Sequence, residues 1–153
     1  MKLKRTNDPE LIALLNEPVQ NLHHRLYPDQ FKPFDFKAMY DYFNNMINQA
    51  NHYFVIYEIN DIPVGYIWYE EIIRPESAFR NLDHFIYIHQ VSVNEEHRGK
   101  GVGKQLFNSV LELAVEKSIK RIGLDYWAMN ENAKQIYRNI GFELEKEVAY
   151  LNV

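Results

Sequence analysis

The stretch Asn94–Leu106, NEEHRGKGVGKQL, holds three of the chain's six glycines, Gly99, Gly101 and Gly103, at alternate positions. FIYIHQVSV precedes it, a run rich in β-branched and aromatic residues, and FNSVLELAVEKS follows it with helical spacing of its apolar residues. A strand, a glycine-rich turn and a helix start together make an anion site. Successive backbone N–H groups point into the concavity, and the helix N-terminus adds about half a positive charge. Glycine serves such a site twice: it permits φ > 0, and it lets a phosphate oxygen approach the main chain. Arg98, Lys100 and Lys104 add formal positive charge. A plain βα turn needs one glycine, so this pattern favours a phosphate ligand over a bare turn with solvated bases. The dinucleotide spacing Gly-x-Gly-x-x-Gly fails, because Lys104 and Leu106 stand where its third glycine would fall. The P-loop fails because Gln105 follows the lysine.

Composition narrows the function classes. A chain of 153 residues, 46% hydrophobic and 25% charged, fits a single domain with one main core. The formal net charge of −4 argues against a nucleic-acid surface, which usually needs a basic face. The absence of cysteine excludes disulfides, a thiol nucleophile and thiolate metal sites. The N-terminal MKLKRTNDPE carries no apolar signal region, and no apolar run approaches the ~20 residues of a membrane span. The expectation is a cytoplasmic protein with no membrane or nucleic-acid partner.

Around the glycine turn the chain reads as β-α-α-β-β-β-α-β-α-β. MKLKRT is a short strand. Asp8-Pro9 opens a helix with an apolar face of Leu11, Leu14, Leu15 and Val19 and a kink or break at Pro18. Asp35 caps a second helix with Met39, Phe43, Met46 and Ile47 on one face. His52–Ile59 and Ile62–Ile73 read as strands joined by a hairpin at Asn60-Asp61, and His84–Val93 as a third. RIGLDYW is a short strand. NENAKQIYRNI is a helix ended by Gly141, and FELEKEVAYLNV is a last strand. Antiparallel strands beside one βαβ unit give a mixed α/β, α+β-like class.

Arg98-x-x-Gly101-x-Gly103 after a strand ending in VSV resembles the acyl-CoA signature of the GNAT superfamily of N-acetyltransferases. NENAKQIYRNIGF, Asn130 to Phe142, resembles that family's Asn-x-x-Ala-x-x-x-Tyr-x-x-x-Gly-Phe segment, in the family's order and with a helix and a strand between the two blocks. The element order matches along nearly the whole chain, so the resemblance implies one GNAT domain over residues 1–153. It also implies a mostly antiparallel sheet of about six to seven strands, flanked by about four helices, with a splayed strand pair that holds the cofactor.

The resemblance further implies acetyl-CoA as cosubstrate and site residues position by position. Val91 and Val93 would offer backbone groups to the pantetheine arm. The N–H groups of Arg98, Gly99, Lys100, Gly101, Val102, Gly103 and Lys104 would hold the pyrophosphate. Asn130 would contact the pantetheine or cap the following helix. Tyr137 takes the place of the family's tyrosine that protonates the departing thiolate; a phenol of pKa ~10 can donate to a thiolate whose conjugate acid lies near ~8.5. An alkyl ammonium of pKa ~10.4 must also lose a proton. The family often uses a glutamate before the glycine turn, but here YIHQVSV has none, which makes His89 the candidate base. Glu70 and Glu71 are alternatives, of which strand alternation turns one inward.

No metal is expected, because the histidines lack the i, i+4 helix spacing of a zinc site. Tyr27, Phe31, Phe34 and Phe36, with His23, His24 and Asp35, are candidates to line an acceptor slot. Trp68, Tyr69, Tyr126 and Trp127 are candidates for further aromatic walls. The expected function is direct acetyl transfer to a primary amine of a small molecule or polyamine. A protein or peptide acceptor and a non-catalytic acyl-CoA sensor are the alternatives. Family members are often dimers, so a homodimer is an open expectation.

Overall fold

Two aspartates start the first two helices. Asp8 Oδ1 accepts from the N–H groups of Glu10 at 3.0 Å and Leu11 at 3.2 Å, and Pro9 opens α1, Pro9–Leu26. Asp35 Oδ1 accepts from Ala38 N–H at 2.7 Å and opens α2, Phe36–Met46. The computed structural model describes every residue from Met1 to Val153. In it α1 continues through Pro18, where a kink or break was the expectation. Proline leaves the Leu14 carbonyl without its helical donor. Leu14 is 52% exposed, so water can take that place, while Ile12, Ala13, Leu15 and Asn16 bury the opposite face. That buried face differs from the expected one, which counted Leu14 among its members.

Strands β1 (Lys2–Arg5), β2 (His52–Ile59), β3 (Ile62–Arg74), β4 (Asp83–Val93) and β5 (Ile122–Leu124) lie in that order across one sheet. The first four are antiparallel; β5 runs parallel to β4 and is reached through α3, Val102–Glu116. Asn60 and Asp61 turn the β2–β3 hairpin with φ of 52° and 62°, the left-handed pair that a two-residue turn requires.

The sheet divides the core in two, where a single main core was expected. Phe54, Ile56, Tyr66 and Trp68 pack with Ile12, Ala13, Leu15 and Phe43 of α1 and α2. On the other face Val55, Tyr57, Ile67, Tyr69, Ile86 and Ile88 pack with Val102, Leu106, Phe107, Val110 and Ala114 of α3. The side-chain period of two sorts neighbours such as Ile67 and Trp68 to opposite faces.

The alternation is broken once between β3 and β4. Trp68 stands opposite Gln90 and Tyr69 opposite Ile88, so His89 is an extra residue on β4. Such a bulge bends the strand and changes its parity. Both His89 and Gln90 therefore face the α1–α2 side: His89 stacks on Trp68 with ring centroids 4.5 Å apart, and Gln90 Oε1 accepts from Asn16 Nδ2 at 2.9 Å.

Helix α4, Glu131–Ile140, ends at Gly141 with φ 108°. The segment from Phe142 to Val153 forms no strand, so the sheet has five strands and not the six to seven expected. FELEKEVAYLNV has strand-like alternation, but a ladder needs a partner edge. The neighbouring β5 is only three residues long, and the segment meets the residue just before it through a charged contact, Arg121 to Glu145 at 2.9 Å.

Helix α1 is tied to the sheet by polar groups. Asn16 Nδ2 also donates to the Tyr66 hydroxyl at 3.2 Å, that hydroxyl donates to Gln90 Oε1, and Ser92 Oγ donates to the Leu15 carbonyl at 2.7 Å. Burial pushes the Tyr66 hydroxyl's pKa up, so it remains a donor. Tyr66→Phe is expected to cost about 1–2 kcal/mol, since it removes one buried donor and leaves its neighbours under-bonded. Urea unfolding should show this as a lower midpoint at unchanged slope.

Candidate active site

β5 pairs with β4 at three positions only: Ile86 with Ile122, Tyr87 with Gly123 and Ile88 with Leu124. Beyond them β4 continues from His89 to Val93 with β3 alone as its neighbour. Asn94 N–H donates to the Val64 carbonyl at 2.9 Å, and hydrogen-bond direction alternates along an antiparallel strand. The main-chain groups of Val93 and Val91 therefore face away from β3, toward the side on which β5 has ended. Arg98 Nε reaches back from the turn and donates to the Val93 carbonyl at 3.1 Å.

A single 3-10 turn, Glu95–His97, leads from β4 into the glycines. Gly99 and Gly101 have φ of 72° and 83°, left-handed values that explain these two glycines by conformation alone. Gly101 is the N-cap of α3, and the first helical bond runs from Gln105 N–H to the Gly101 carbonyl at 3.1 Å. The N–H groups of Val102, Gly103 and Lys104 thus project from the helix end. The Val102 side chain is buried in the core and fixes that end in place. Gly103 lies within the helix without a positive φ, and a Cβ added to it would meet nothing within 4 Å. Neither conformation nor packing asks for glycine there. What a bare Cα does there is leave the helix-end amides open to close approach, a geometry that suits an anion.

Tyr137 of α4 lies among Phe107, Tyr126 and Phe142, with ring centroids 5.7, 5.6 and 5.9 Å away. Burial, and then the charge of Asp125, push its phenol up to about 12. Asp125 directly follows β5, at the point where the two strands part, and accepts from the Tyr87 hydroxyl at 2.6 Å. Burial and this bond push the Tyr87 phenol up as well. Asp125 also acts on His23, whose pKa burial lowers by more than the carboxylate raises it. Asn130 Oδ1 accepts from Ala133 N–H at 3.1 Å and so caps α4, which leaves its amide nitrogen for any further partner.

His89, on the bulge, places Nε2 2.8 Å from Glu70 Oε2. Of the two glutamates, Glu70 is the one on the α1–α2 side. Glu71 faces α3, where it meets Lys117 and His84; the Lys117 ammonium and then His84 hold its carboxyl below the usual range against burial. Trp68 and Tyr69 separate in the same way: Trp68 lies beside His89, and Tyr69 stacks on Tyr53 in the α3 half-core.

The loop between α1 and α2 is fastened over this region. Tyr27 and Phe31 pack on Trp127 at 4.8 and 4.9 Å, and the Tyr27 hydroxyl accepts from Met129 N–H at 2.9 Å. His24 Nδ1 lies 2.6 Å from the Phe31 carbonyl. Phe36 heads α2 and is 40% exposed. His52, Tyr87 and Asp125 belong to the site yet were not among the residues expected from sequence. Their relevance depends on strand register, which places His52 opposite Glu70 and Glu70 opposite Tyr87.

The chain is similar to an uncharacterized N-acetyltransferase of Methanocaldococcus jannaschii, 30% identical over an alignment of 112 residues, with 70% of this chain and 46% of that protein covered. The matched stretch thus spans about half of that relative. A Bacillus halodurans protein solved as a tetramutant superposes over 100% of both chains with a TM-score of 0.92 at 19% identity. A ribosomal-protein-alanine N-acetyltransferase of Brucella melitensis superposes over 99% of this chain and 98% of its own with a TM-score of 0.70 at 13% identity, a likeness of fold. The family model described as Acetyltransferase (GNAT) family matches residues 17–142, a span that contains β2 to β5, the glycine turn and Tyr137, and the chain belongs to that family.

Proposed function

We propose that the chain is an N-acetyltransferase that moves an acetyl group from acetyl-CoA directly to a primary amine of a small molecule or polyamine. The observation that carries this reading is the open side of β4 beside a run of uncovered helix-end amides. Acetyl-CoA supplies a thioester whose carbonyl carbon accepts the amine's electron pair as the C–S bond breaks. The amides of Val102, Gly103 and Lys104, with the Arg98, Lys100 and Lys104 side chains, bind the diphosphate. The outward main-chain groups of Val91 and Val93 hold the pantetheine arm in β-strand fashion. The Val91 amide is the donor that stabilises charge on the acyl oxygen.

His89 is the base. A carboxylate only accepts, so Glu70 holds the His89 proton on Nε2 and leaves Nδ1 to take one proton from the acceptor ammonium. The amine's second proton leaves as the C–N bond forms and ends on the sulfur. Tyr137, with its phenol near 12, stays protonated throughout the neutral range. Full transfer from it to a thiolate of conjugate pKa ~8.5 is uphill, so its role is to hydrogen-bond the sulfur as negative charge develops there.

Two carboxylates, Glu70 and Asp125, beside Trp68, Tyr87 and Trp127 suit a cationic amine. The Tyr27–Asp35 loop is held against Trp127 and Met129, and a small acceptor asks for no rearrangement of that fastened loop. A non-catalytic acyl-CoA sensor would share the cradle but release no thiol.

Gly103→Ala separates ligand binding from folding. The free protein is expected to be unchanged or up to about 1 kcal/mol more stable, because alanine is the better helix former. Gly101→Ala should instead cost about 1–2 kcal/mol through its left-handed φ. For the wild type, CoA and acetyl-CoA at a hundred times Kd should add about 2.7 kcal/mol, measured as a rise in Tm. Gly103→Ala should lose that rise, and ATP and NAD should give none in either protein.

Free-thiol release over a panel of alkylamines, polyamines and peptides tests the chemistry. His89→Gln should lower kcat by about 10²–10⁴ with CoA binding intact. Tyr137→Phe should also lower kcat more than it raises KM. Equal rates in Tyr137→Phe and wild type would remove the sulfur-side role.

A further inference from the structure

His52 takes no part in the proposed transfer, yet it is the best-defined histidine of the site. It lies on β2 directly opposite Glu70, with Nε2 3.8 Å from Glu70 Oε2. Its Nδ1 accepts a hydrogen bond from Trp68 Nε1 at 3.0 Å. Its ring lies 5.4 Å from that of His89 and 5.7 Å from that of Trp68. Ligand atoms of His52, Glu70 and His89 all fall within 4.8 Å of one another, a spacing that three ligands of one metal ion share.

The indole decides between a metal and a proton network. An indole nitrogen only donates, so the His52 Nδ1 lone pair is taken and the single proton of the neutral ring must sit on Nε2. A metal bound through Nε2 would need that proton moved to Nδ1, where it would meet the indole N–H head-on. The donor set does not fit a metal ion. Protonating His52 would create the same N–H to N–H conflict. Burial also lowers the pKa of this histidine, with Glu70 opposing and His89 reinforcing the effect.

We propose that Trp68 and His52 are positioning residues: the indole fixes His52 as the neutral Nε2–H tautomer, which reserves the Glu70 carboxylate for His89 and keeps its negative charge facing the imidazolium that His89 must become. This rests on the reading of His89 as the base. A protonated His52 would neutralise Glu70 and place a positive charge beside the imidazolium that His89 must become. Neutral and fixed, it directs only an N–H dipole at the carboxylate. The charged and titratable groups around the array are Glu70 on β3, His89 and Tyr87 on β4, Asp125 behind Tyr87, and Tyr42 of α2, whose ring lies 6.1 Å from Trp68. No lysine or arginine pairs with Glu70, whose ionic partners are His89 and His52 alone.

The first test uses the wild-type protein and no substrate. Two-bond nitrogen–proton correlation spectra of the histidine rings, recorded from about pH 8 down to about pH 6, report tautomer and charge separately. His52 is expected to hold its proton on Nε2 and stay neutral across that range. A proton on Nδ1, an imidazolium at neutral pH, or zinc moving the His52 and His89 resonances together would overturn the proposal.

The second test is the pH profile of kcat/KM with acetyl-CoA and the best amine of the panel. Trp68→Phe keeps an aromatic ring and removes the N–H. It should let His52 take a second proton, weaken His89 as a base, and move the acid limb to lower pH by about one unit with a lower plateau. In the Trp68 protein, His52→Asn keeps an acceptor for the indole without a titrating group and should leave the limb at its wild-type position; combined with Trp68→Phe, it should bring the shifted limb back, because no charge can then form beside Glu70. Superimposable Trp68→Phe and wild-type profiles, with the limb lost in His89→Gln, would overturn the positioning role and leave His89 as base. A limb that survives His89→Gln would overturn the base reading itself.

Discussion

β4 is held by β3 along its length but by β5 over three residues, and this asymmetry governs the site. A strand in the middle of a sheet normally has both rows of backbone groups paired. Here the row beyond Ile88 faces a gap that β5, ending at Leu124, does not fill. An extended ligand with amide groups can complete the ladder without any side chain being devoted to it. The same parting leaves Asp125 at the fork, between Tyr137 on the α3 side and His89 on the α1–α2 side.

The bulge at His89 joins that gap to the acceptor side. Without the extra residue, strand alternation would send one of His89 and Gln90 into the α3 half-core. With it, Gln90 anchors α1 through Asn16 while His89 lies over Trp68 and meets Glu70. One change in parity thus serves a structural contact and a chemical one, and the rigid contact fixes the strand on which the chemical one depends.

The elements and the turn were legible because they are local. Asp8-Pro9, Asp35, Asn60-Asp61 and Gly141 each act within a few residues, and each does in the structure what its type suggests. Gly103 was legible as part of a pattern. Long-range context decided the rest. FELEKEVAYLNV alternates like a strand but finds no edge long enough to join, and Pro18 is tolerated because its missing bond falls on the exposed side of α1. The histidine array was not legible either. His52, Glu70 and His89 lie on three strands, and only the register, including a bulge that no local signal marks, brings them together.

Charge is sorted along β4 in a way that net charge conceals. The chain carries −4 overall, yet Arg98, Lys100 and Lys104 gather at the turn after the C-terminal end of the strand and outnumber Glu95, which pairs with Arg98 at 3.5 Å, and Glu96, while Glu70 and Asp125 lie around the strand's middle. Under the proposed activity these are the two ends of one reaction: a polyanionic carrier at the turn and a cationic acceptor near the carboxylates. Opposite fields across one strand favour the two ligands in one orientation and disfavour the reverse, because a diphosphate near Glu70 or an ammonium near the helix end would meet like charge. The basic groups are exposed and hence screened by salt, whereas the histidine-bonded Glu70 is largely shielded. The carrier end should therefore weaken with ionic strength more steeply than the acceptor end. Orientation would then rest on the uncharged part of the cradle, the helix-end amides, more than on the lysines beside it.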